Sequence, residues 1–596
     1  MRMNGAASIN IRKVHHPMIK KLFGRMLVTQ ILSAMTVTLC MLVDSIMIGR
    51  FLGVDSMTAY GLASPVLLVF AAFGSMLAAG IQVMCGKALG RGDKQRANAC
   101  YTVSVVMAAS VSVIGVILVL LLTDPICTLL GAGENTPQNP VFGLTRDYLR
   151  GFIVGAPGFI AAQMMVPYMQ MSGIRSRLIK AVLALIGSNI TLNLVNVLVV
   201  HQGTFGMGLA SSISYYIAFA VGIPYFFRKD CIFKLRPKSV RISTAIRLLQ
   251  HGVPTLVNQV SLVLLTFVLN KLLLSVGGNL AVAAFSVIST VGNLCYAFSS
   301  GIASVTLTLA SMFYGDRDRS SLRTLMQIMV RKGLVICGLV TGIVLIAADP
   351  LVTMFLENPA AKGLAVTGLR IFVLSLVPCS LNTGFKNFYQ GVGRVAVSLL
   401  ISVMQNFVLI ALSAYLLSRF FGVSGIWMGY PGGELLTLLM ICLIVLLRRP
   451  LRRGSFMLLR RDFGVSEEHC LELSVTEPEQ VKGVSEAASV FCASEGLPPK
   501  VCAMIALCVR EMAENIIAHG FLPERDNSID IRIMIGMDGT VLRFRDNCKK
   551  FDPVKYMEMH AQDEPEAHIG ISRVMHLVRE TKYFYSLGMN NLTLTI

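Results

Sequence analysis

Charge is what this sequence has least of. Asp, Glu, Lys and Arg together make up 14% of 596 residues, against 54% hydrophobic, and the mean hydropathy is +0.67. A chain this long and this poor in charge does not form one soluble core, and its apolar runs are long enough to cross a bilayer. Acids are scarcer than bases, 33 against 53, for a formal net charge of +20. The excess is uneven. Residues 465–596 hold 13 Lys and Arg against 20 Asp and Glu, a net of −7; residues 1–464 hold 40 against 13, a net of +27. The bases of the apolar part sit in loops between hydrophobic runs, where they report orientation in a membrane, so no nucleic-acid partner is expected. None of the 14 Cys stands in a CxxC pair or a metal-ligand spacing, which argues for free thiols facing a reducing compartment. No P-loop is present, which argues against an ATP-driven pump. No small-residue cleavage site follows the first apolar run, which reads as a genuine span.

At about 20 apolar residues per helix, twelve spans are expected, near 26–48, 62–84, 101–123, 149–171, 179–200, 208–227, 253–275, 284–311, 333–348, 370–391, 396–417 and 425–447. Basic loops alternate with poor ones. The N-terminus, 86–98, 174–180, 228–247 and 317–332 all fall on one side, as does the run RRPLRRGSFMLLRR at 448–461 with its six Arg. The positive-inside rule makes that side cytoplasmic and both termini with it, in a plasma (inner) membrane. The basic run is expected at the anionic lipid headgroups.

The stretch Asp44–Pro65, DSIMIGRFLGVDSMTAYGLASP, organises the apolar part. Asp44 is a lone acid near the end of the first span, followed by a Gly49/Gly53 turn and a second helix opening near Gly61. A carboxylate at that depth faces protein or a water-filled cavity. The pattern returns at Leu269–Gly301, with Asn270 near the place of the acid. Other matches keep a similar offset: Gly92-Asp93 and Arg96 with Gly315-Asp316 and Arg319; Asp124-Pro125 with Asp349-Pro350; Pro157, Gln170 and Gly173 with Pro378, Gln390 and Gly393; Gly203 and Gly206 with Gly422 and Gly425. Two six-span halves with one orientation follow, and substrate sites in such transporters lie between the halves. In the fifth span, Asn189, Asn193 and Asn196 share one helical face. Glu434 is the other mid-span acid.

These features resemble the multidrug and toxic compound extrusion (MATE) family: D-x-x-x-x-G-R-x-L-G at Asp44–Gly53, Pro65, Gly90-Arg91-Gly92-Asp93, Pro157 and Gln170-x-x-Gly173. The resemblance implies two six-helix bundles alternating between openings, and exchange of an organic, often cationic, small molecule for Na⁺ or H⁺. It implies a cation site from Asp44, Asn189, Asn193 and Ser211 or Ser212. Where other branches carry acids in the C-lobe, this chain has Asn258-Gln259 and Asn382 with Lys386, which leaves these and Glu434 as cavity lining. Alternatives are a flippase for a lipid-linked or polyanionic substrate, for which only Lys386 and Lys271 supply cavity cations, and a membrane-anchored signalling protein.

After about residue 465 the texture becomes mixed, with strands expected at 472–475, 528–537 and 540–546 and helices at 481–495 and 499–519. Glu511 and Asn515 share a face of the second helix. The stretch resembles the GHKL (Bergerat) ATP-binding domains of anti-sigma-factor serine kinases. By that resemblance Glu511 is the general base, Asn515 holds Mg²⁺, His519 flanks the nucleotide, Asp546 accepts the adenine amino group, and Gly570 opens a helix toward phosphate. An anti-anti-sigma-like protein is then a partner, and serine/threonine kinase activity goes with it. Cys548 and His568 stand where the pattern usually has Gly, leaving less room for backbone–phosphate approach.

The expected architecture is therefore an all-α polytopic membrane protein of twelve transmembrane helices with a C-terminal cytoplasmic α/β sandwich. Its parts are an N-lobe (1–227), a linker (228–252), a C-lobe (253–447), a basic linker (448–464) and an ATP-binding domain (465–596). Membrane lipid surrounds the lobes. The acidic tail is expected to rest against the adjacent six-Arg run.

Overall fold

The computed structural model describes residues 17–596 except 135, 137–138, 229–230, 356–358, 449–458, 460–462, 466–468, 524–525, 537–538 and 560–568. His568 and nearly all of the six-Arg run lie outside the described residues, and with them the expected contact between that run and the tail.

The helices of the apolar part are α1 Pro17–Met47, α2 Gly53–Gly90, α3 Lys94–Leu121, α4 Thr123–Leu129, α5 Pro140–Ile153, α6 Ala156–Met171, α7 Arg175–Val195, α8 Gly203–Gly222, α9 Ile242–Gly315, α10 Arg319–Thr353, α11 Pro359–Val373, α12 Leu376–Gly391, α13 Val395–Val403 and α14 Leu409–Arg448. At 74 residues α9 would measure about 110 Å as one straight rod, several times a hydrocarbon core. Non-helical backbone at Gly278 (φ 63°) splits it into two helices, and Gly422 (φ 57°) does the same within Val395–Leu447. Both positions sit in the left-handed region that Gly enters freely. Two further spans are bent pairs, α5 with α6 at 48° and α11 with α12 at 45°. Counting each bent pair as one span and each Gly-split run as two gives twelve. The loop expected at 124–147 holds α4 and the start of α5, and the linker expected at 228–252 ends in the first residues of α9. The second helix opens at Gly53, eight residues before the Gly61 expected from sequence, because a single π-helical turn, Ile48–Leu52, replaces the loop.

Two apolar cores result. One gathers α2–α8 residues such as Tyr148, Phe159 and Met169 with Cys40 of α1 and Ile48 of the π-helical turn; the other gathers α9–α14 around Phe285, Phe313 and Trp427. The start of α1 (Met18, Leu22, Phe23, Met26) packs into the second core, so the first span crosses from one lobe to the other.

The repeat register differs from the sequence pairing. Asp93 caps α3 by accepting from the Arg96 N–H (2.9 Å), and Asp318 caps α10 by accepting from Ser321 (2.9 Å). The residues before them, Gly92 (φ 71°) and Arg317 (φ 53°), are both left-handed. Asp93 therefore corresponds to Asp318, not Asp316, and Asp316 takes the place of Arg91.

The C-terminal domain has one antiparallel sheet of β1 Cys470–Val475, β2 Ile529–Gly536, β3 Gly539–Asp546, β4 Glu580–Ser586 and β5 Met589–Thr595, in the order β1-β2-β3-β5-β4. Helices α15 Gln480–Ser494, α16 Pro499–Gly520, α17 Pro553–Met559 and α18 Ile569–Leu577 complete it. Alternation divides the sheet residues between two faces. Leu471, Leu473, Ile531, Ile533, Leu542, Phe544, Leu592 and Leu594 meet Ile505, Val509 and Met512 of α16 in the core. Glu472, Arg532, Arg543, Arg545, Phe584 and Ser586 point the other way, onto the ends of the membrane helices.

Candidate functional site

Asp44 ends up where an isolated carboxylate is tolerable, buried and fully engaged. Its Oδ1 accepts from Asn189 Nδ2 (3.1 Å) and Asn193 Nδ2 (2.6 Å), and its Oδ2 from Ser211 Oγ (2.9 Å). Asn189 and Asn193 lie one turn apart on α7, so one carboxylate oxygen spans both. Their Oδ1 atoms are buried without a partner, although buried carbonyl oxygens are normally satisfied. Carboxylate, two amide oxygens and a hydroxyl form an all-oxygen donor set, the kind suited to a hard monovalent cation, or to a proton on the acid. Beside them a cavity lined by Met41, Asp44, Asn189, Ser211 and Tyr215 leaves about 30 Å³ open to a water-sized sphere. That holds a water or an ion, and not a drug-sized molecule.

Two sequence candidates fall outside this site. Ser212 Oγ turns away to donate to the carbonyls of Gly151 and Phe152 (both 2.8 Å), because neighbours on a helix point about 100° apart. Asn196 binds the Gly203 carbonyl and the Gln202 N–H, tying off a π-helical turn, Asn196–Val200. The tyrosines around Asp44 were missed by sequence: Tyr215 lines the cavity, and Tyr60 and Tyr148 stack edge-to-face at 5.3 Å. Nothing in residue spacing distinguishes them from core aromatics. Each polar cluster adjoins a π turn, a feature frequent at functional sites. Ile48–Leu52 follows Asp44, Asn196–Val200 follows Asn193, and Met404–Val408 contains Gln405 and Asn406.

The C-lobe holds the second acid. Glu434 accepts from Asn382 Nδ2 (2.7 Å) and Gln405 Nε2 (3.1 Å), again with unpartnered amide oxygens at Asn382 and Gln405. Lys386 does not reach Glu434. It donates to Asn258 Oδ1, which Asn406 also approaches (2.8 Å). Gln259 is half-buried outside this set, and Lys271 is exposed over the Phe267 ring. Among the described residues of the two lobes, Lys386 is the one buried lysine.

In the C-terminal domain, Asn515 Nδ2 donates to the Glu511 carbonyl (2.7 Å), one turn apart on α16. Gly570, in α18, lies against both: a Cβ there would stand 2.6 Å from Glu511 Oε2 and 3.1 Å from Asn515 Nδ2. The position a side chain would take is already occupied by these two groups, so glycine is what lets α18 lie this close to α16 and sets its backbone against the Asn515 amide, an oxygen donor of the kind that suits a phosphate-bound metal. Among the described residues no cluster of three or more His, Cys, Asp or Glu could hold a metal by itself. Asp546 is buried at the end of β3 and accepts from Asn590 Nδ2 (2.7 Å) and the Cys548 N–H (3.0 Å). Burial raises its carboxyl above the usual range, against those bonds. His519 is exposed in the last turn of α16, next to Gly520, whose carbonyl accepts from the Lys549 N–H (2.9 Å).

Comparison with known proteins covers both parts of the chain. The MatE family profile matches residues 30–195 and 254–416, and that of the histidine kinase-like ATPase domain matches 475–596. The multidrug export protein MepA of Staphylococcus saprophyticus is 24% identical over 403 residues, 67% of this chain and 87% of that protein. A MATE family transporter of the MOP superfamily, solved in an outward-facing conformation, superposes with a TM-score of 0.68 at 22% identity, covering 73% of this chain and 96% of the other. The Vibrio cholerae MATE transporter VcmN gives 0.67 at 19% identity, covering 73% and 98%.

Proposed function

The chain belongs to the MatE family, and on that premise we propose that it is a secondary active efflux antiporter whose C-terminal domain binds nucleotide and regulates transport. It is a multi-pass membrane protein with a histidine kinase-like ATPase domain. The exported compound is a small organic molecule, in keeping with the multidrug export that the staphylococcal relatives are named for, and often a cationic one. The coupling ion is Na⁺ or H⁺, and the observation that carries this reading is the Asp44–Asn189–Asn193–Ser211 oxygen cluster. Occupancy of Asp44 by a proton or a cation neutralises a buried charge, and a ligand that favours one opening of the lobes shifts the population toward it. The basic loops support a plasma membrane location with both termini cytoplasmic.

In the C-terminal domain Asp546 offers an acceptor for an adenine amino group, Asn515 an amide for a phosphate-bound Mg²⁺, and Gly570 a backbone without a side chain near the start of α18, where phosphate would be met. ATP bound there would supply a phosphoryl group, and Glu511 would take the proton from a serine or threonine hydroxyl of an anti-anti-sigma-like partner. Efflux of a fluorescent cationic dye from proteoliposomes, with Na⁺ and pH gradients imposed separately, tests the transport reading. Dye loss under neither gradient overturns it. Calorimetry of the full chain with Mg-ATP tests the nucleotide reading, and no heat at millimolar ATP overturns that.

A further inference from the structure

The outer face of the sheet is a docking surface, and what it docks on spans both lobes. On the C-lobe side, Arg532 pairs with Asp318, Arg543 with Asp316 and with Asp318 (2.7 Å), and Arg545 with Asp316 (3.0 Å). The Arg545 guanidinium also lies over the Phe313 ring at 5.4 Å, and Glu472 accepts from Ser320 (3.1 Å). On the N-lobe side, the Leu587 N–H donates to the Met171 carbonyl (2.7 Å) at the β4–β5 turn, which is pressed against Gly173. Phe584 covers Gly92, and Lys94 lies over the Tyr583 ring at 5.8 Å.

Beneath this surface the lobes are closed on each other. Gln82 Nε2 on α2 donates to Ser304 Oγ on α9 (3.2 Å), and Ser311 Oγ on α9 donates to the Gln82 carbonyl (2.8 Å). At Gly90 the helices are so close that a Cβ would stand 2.9 Å from the Asp316 nitrogen. The footholds are specific to their lobes. The C-lobe loop carries Asp316 where the N-lobe loop carries Arg91, so three arginines fit the former and would be repelled by the latter.

We propose that the C-terminal domain is a clasp across the cytoplasmic seam, which holds the two lobes together on that side until one foothold is released. The inference rests on the transporter reading above and names how its regulation works. An inward opening parts Gln82 from Ser304, and one rigid sheet bonded to both lobes opposes it. The clasp is also wired to the nucleotide site. Asp546 and Arg545 are neighbours on β3 facing opposite sides of the sheet, and across the ladder they pair with Asn590 and Asn591. Asn590 donates to Asp546 (2.7 Å), while Arg545 Nε donates to Asn591 Oδ1 (2.9 Å). A ligand that takes the Asp546–Asn590 bond therefore acts on the strand ends that hold Arg545. Burial would raise the Asp318 carboxyl, but Arg532, Arg543 and Arg545 outweigh it and hold Asp318 well below the usual range, so that acid stays charged, whereas burial outweighs Arg543 and Arg545 at Asp316 and raises it.

The test uses the full chain in proteoliposomes. Asp316→Asn with Asp318→Asn removes the charges while keeping an Asn cap for α10. Hydrogen exchange at the Leu587 amide and over 316–320 reports docking. Maleimide labelling of a Ser304→Cys reporter, in a Cys442→Ser background, reports opening of the seam. The expected result is faster exchange, with labelling and dye efflux both faster by about fivefold, the low end of ordinary coupling between sites. A second arm locks the clasp with a short bismaleimide between Ser320→Cys and Glu472→Cys, between Lys94→Cys and Lys582→Cys, or across both pairs. Each link alone leaves the other foothold free and transport running; both together stop it. Exchange that does not rise in the asparagine variant overturns the C-lobe foothold. Exchange that rises while labelling stays at the wild-type rate overturns the clasp, as does undiminished efflux with both links in place. If labelling responds as expected but no variant moves dye, the clasp stands and the transport reading fails.

Discussion

Asp44 is held by Asn189, Asn193 and Ser211, and substitutions at the acid and at two neighbouring serines predict different outcomes. Asp44→Asn removes the only titratable group of the N-lobe cluster and is expected to abolish gradient-driven efflux with insertion intact; efflux equal to wild type would remove it from the coupling step. Ser211→Ala takes away the single bond to Oδ2 and is expected to change the ion dependence of efflux. Ser212→Ala, whose hydroxyl serves only α5 carbonyls, is expected to leave that dependence as it was. Flux measured at several Na⁺ concentrations and pH values separates the two serines. Asp44, Asn189 and Asn193 were legible in sequence because a lone acid and two amides one turn apart stand out in an apolar run. The choice between Ser211 and Ser212 was not, since it depends on the rotation of α8 against α5. At Gly570 the expected effect is sharp: Gly570→Ala places a methyl against Glu511 and Asn515, so nucleotide binding measured by calorimetry falls by an order of magnitude or is lost.

Strand β3 shows how an element divides its work. Leu542, Phe544 and Asp546 face the helices, while Arg543 and Arg545 face the lobes. From sequence, such alternation reads as an ordinary half-solvated strand, and the net charge of −7 pointed to the basic linker instead. The charge that matters is local: three arginines on one face of an acidic domain. The repeat register was misread for a similar reason, since both loops offer a Gly-Asp pair and only the caps of α3 and α10 show which aspartates correspond. Removing one partner from a buried ion cluster costs about 3–5 kcal/mol. Arg543→Ala, which takes one arginine from each aspartate and leaves Asp316 to Arg545 and Asp318 to Arg532, is expected to weaken docking by up to about that much, read as loss of amide protection at Leu587. The pH dependence has a definite sign. Asp318 is held below the usual range, so its contribution is fully present above the unfolded carboxylate value of about 4 and is lost only as the pH falls through its lower folded value. Its partner Asp316 is shifted the other way, raised by burial against Arg543 and Arg545, and takes up its proton first as the pH falls. Docking followed by the same exchange readout is therefore expected to keep the Asp318 contribution in mild acid; full loss centred between pH 6 and 5 would make Asp316, and not Asp318, the anchor.

For the molecule as a whole, two lobes and a sheet domain were readable from hydropathy, loop charge and repeats. The path of α1 from one lobe core to the other, and the seating of the sheet, were not, because both depend on contacts between segments hundreds of residues apart. Deleting 465–596 is expected to leave gradient-driven efflux in place and to abolish any response to added Mg-ATP, measured as dye flux with and without nucleotide. A truncated chain that inserts stably yet moves nothing would make the domain part of the transport machinery.

The domain is joined to its seat by the short connection at 448–464, and the end of that connection is already placed: Phe463 stacks on Tyr314 at 4.7 Å, and Gly464 lies against the Arg317 carbonyl. A partner on so short a leash meets its site at an effective concentration of about millimolar, whatever the amount of protein in the membrane. Its footholds therefore need only weak intrinsic affinity to stay occupied most of the time, and weak footholds let go quickly. The same arithmetic isolates each transporter from its neighbours. Purified domain added at micromolar concentration is expected neither to displace the tethered copy nor to slow efflux by the full chain, whereas one proteolytic cut in the connection would free the seat within a single dissociation lifetime.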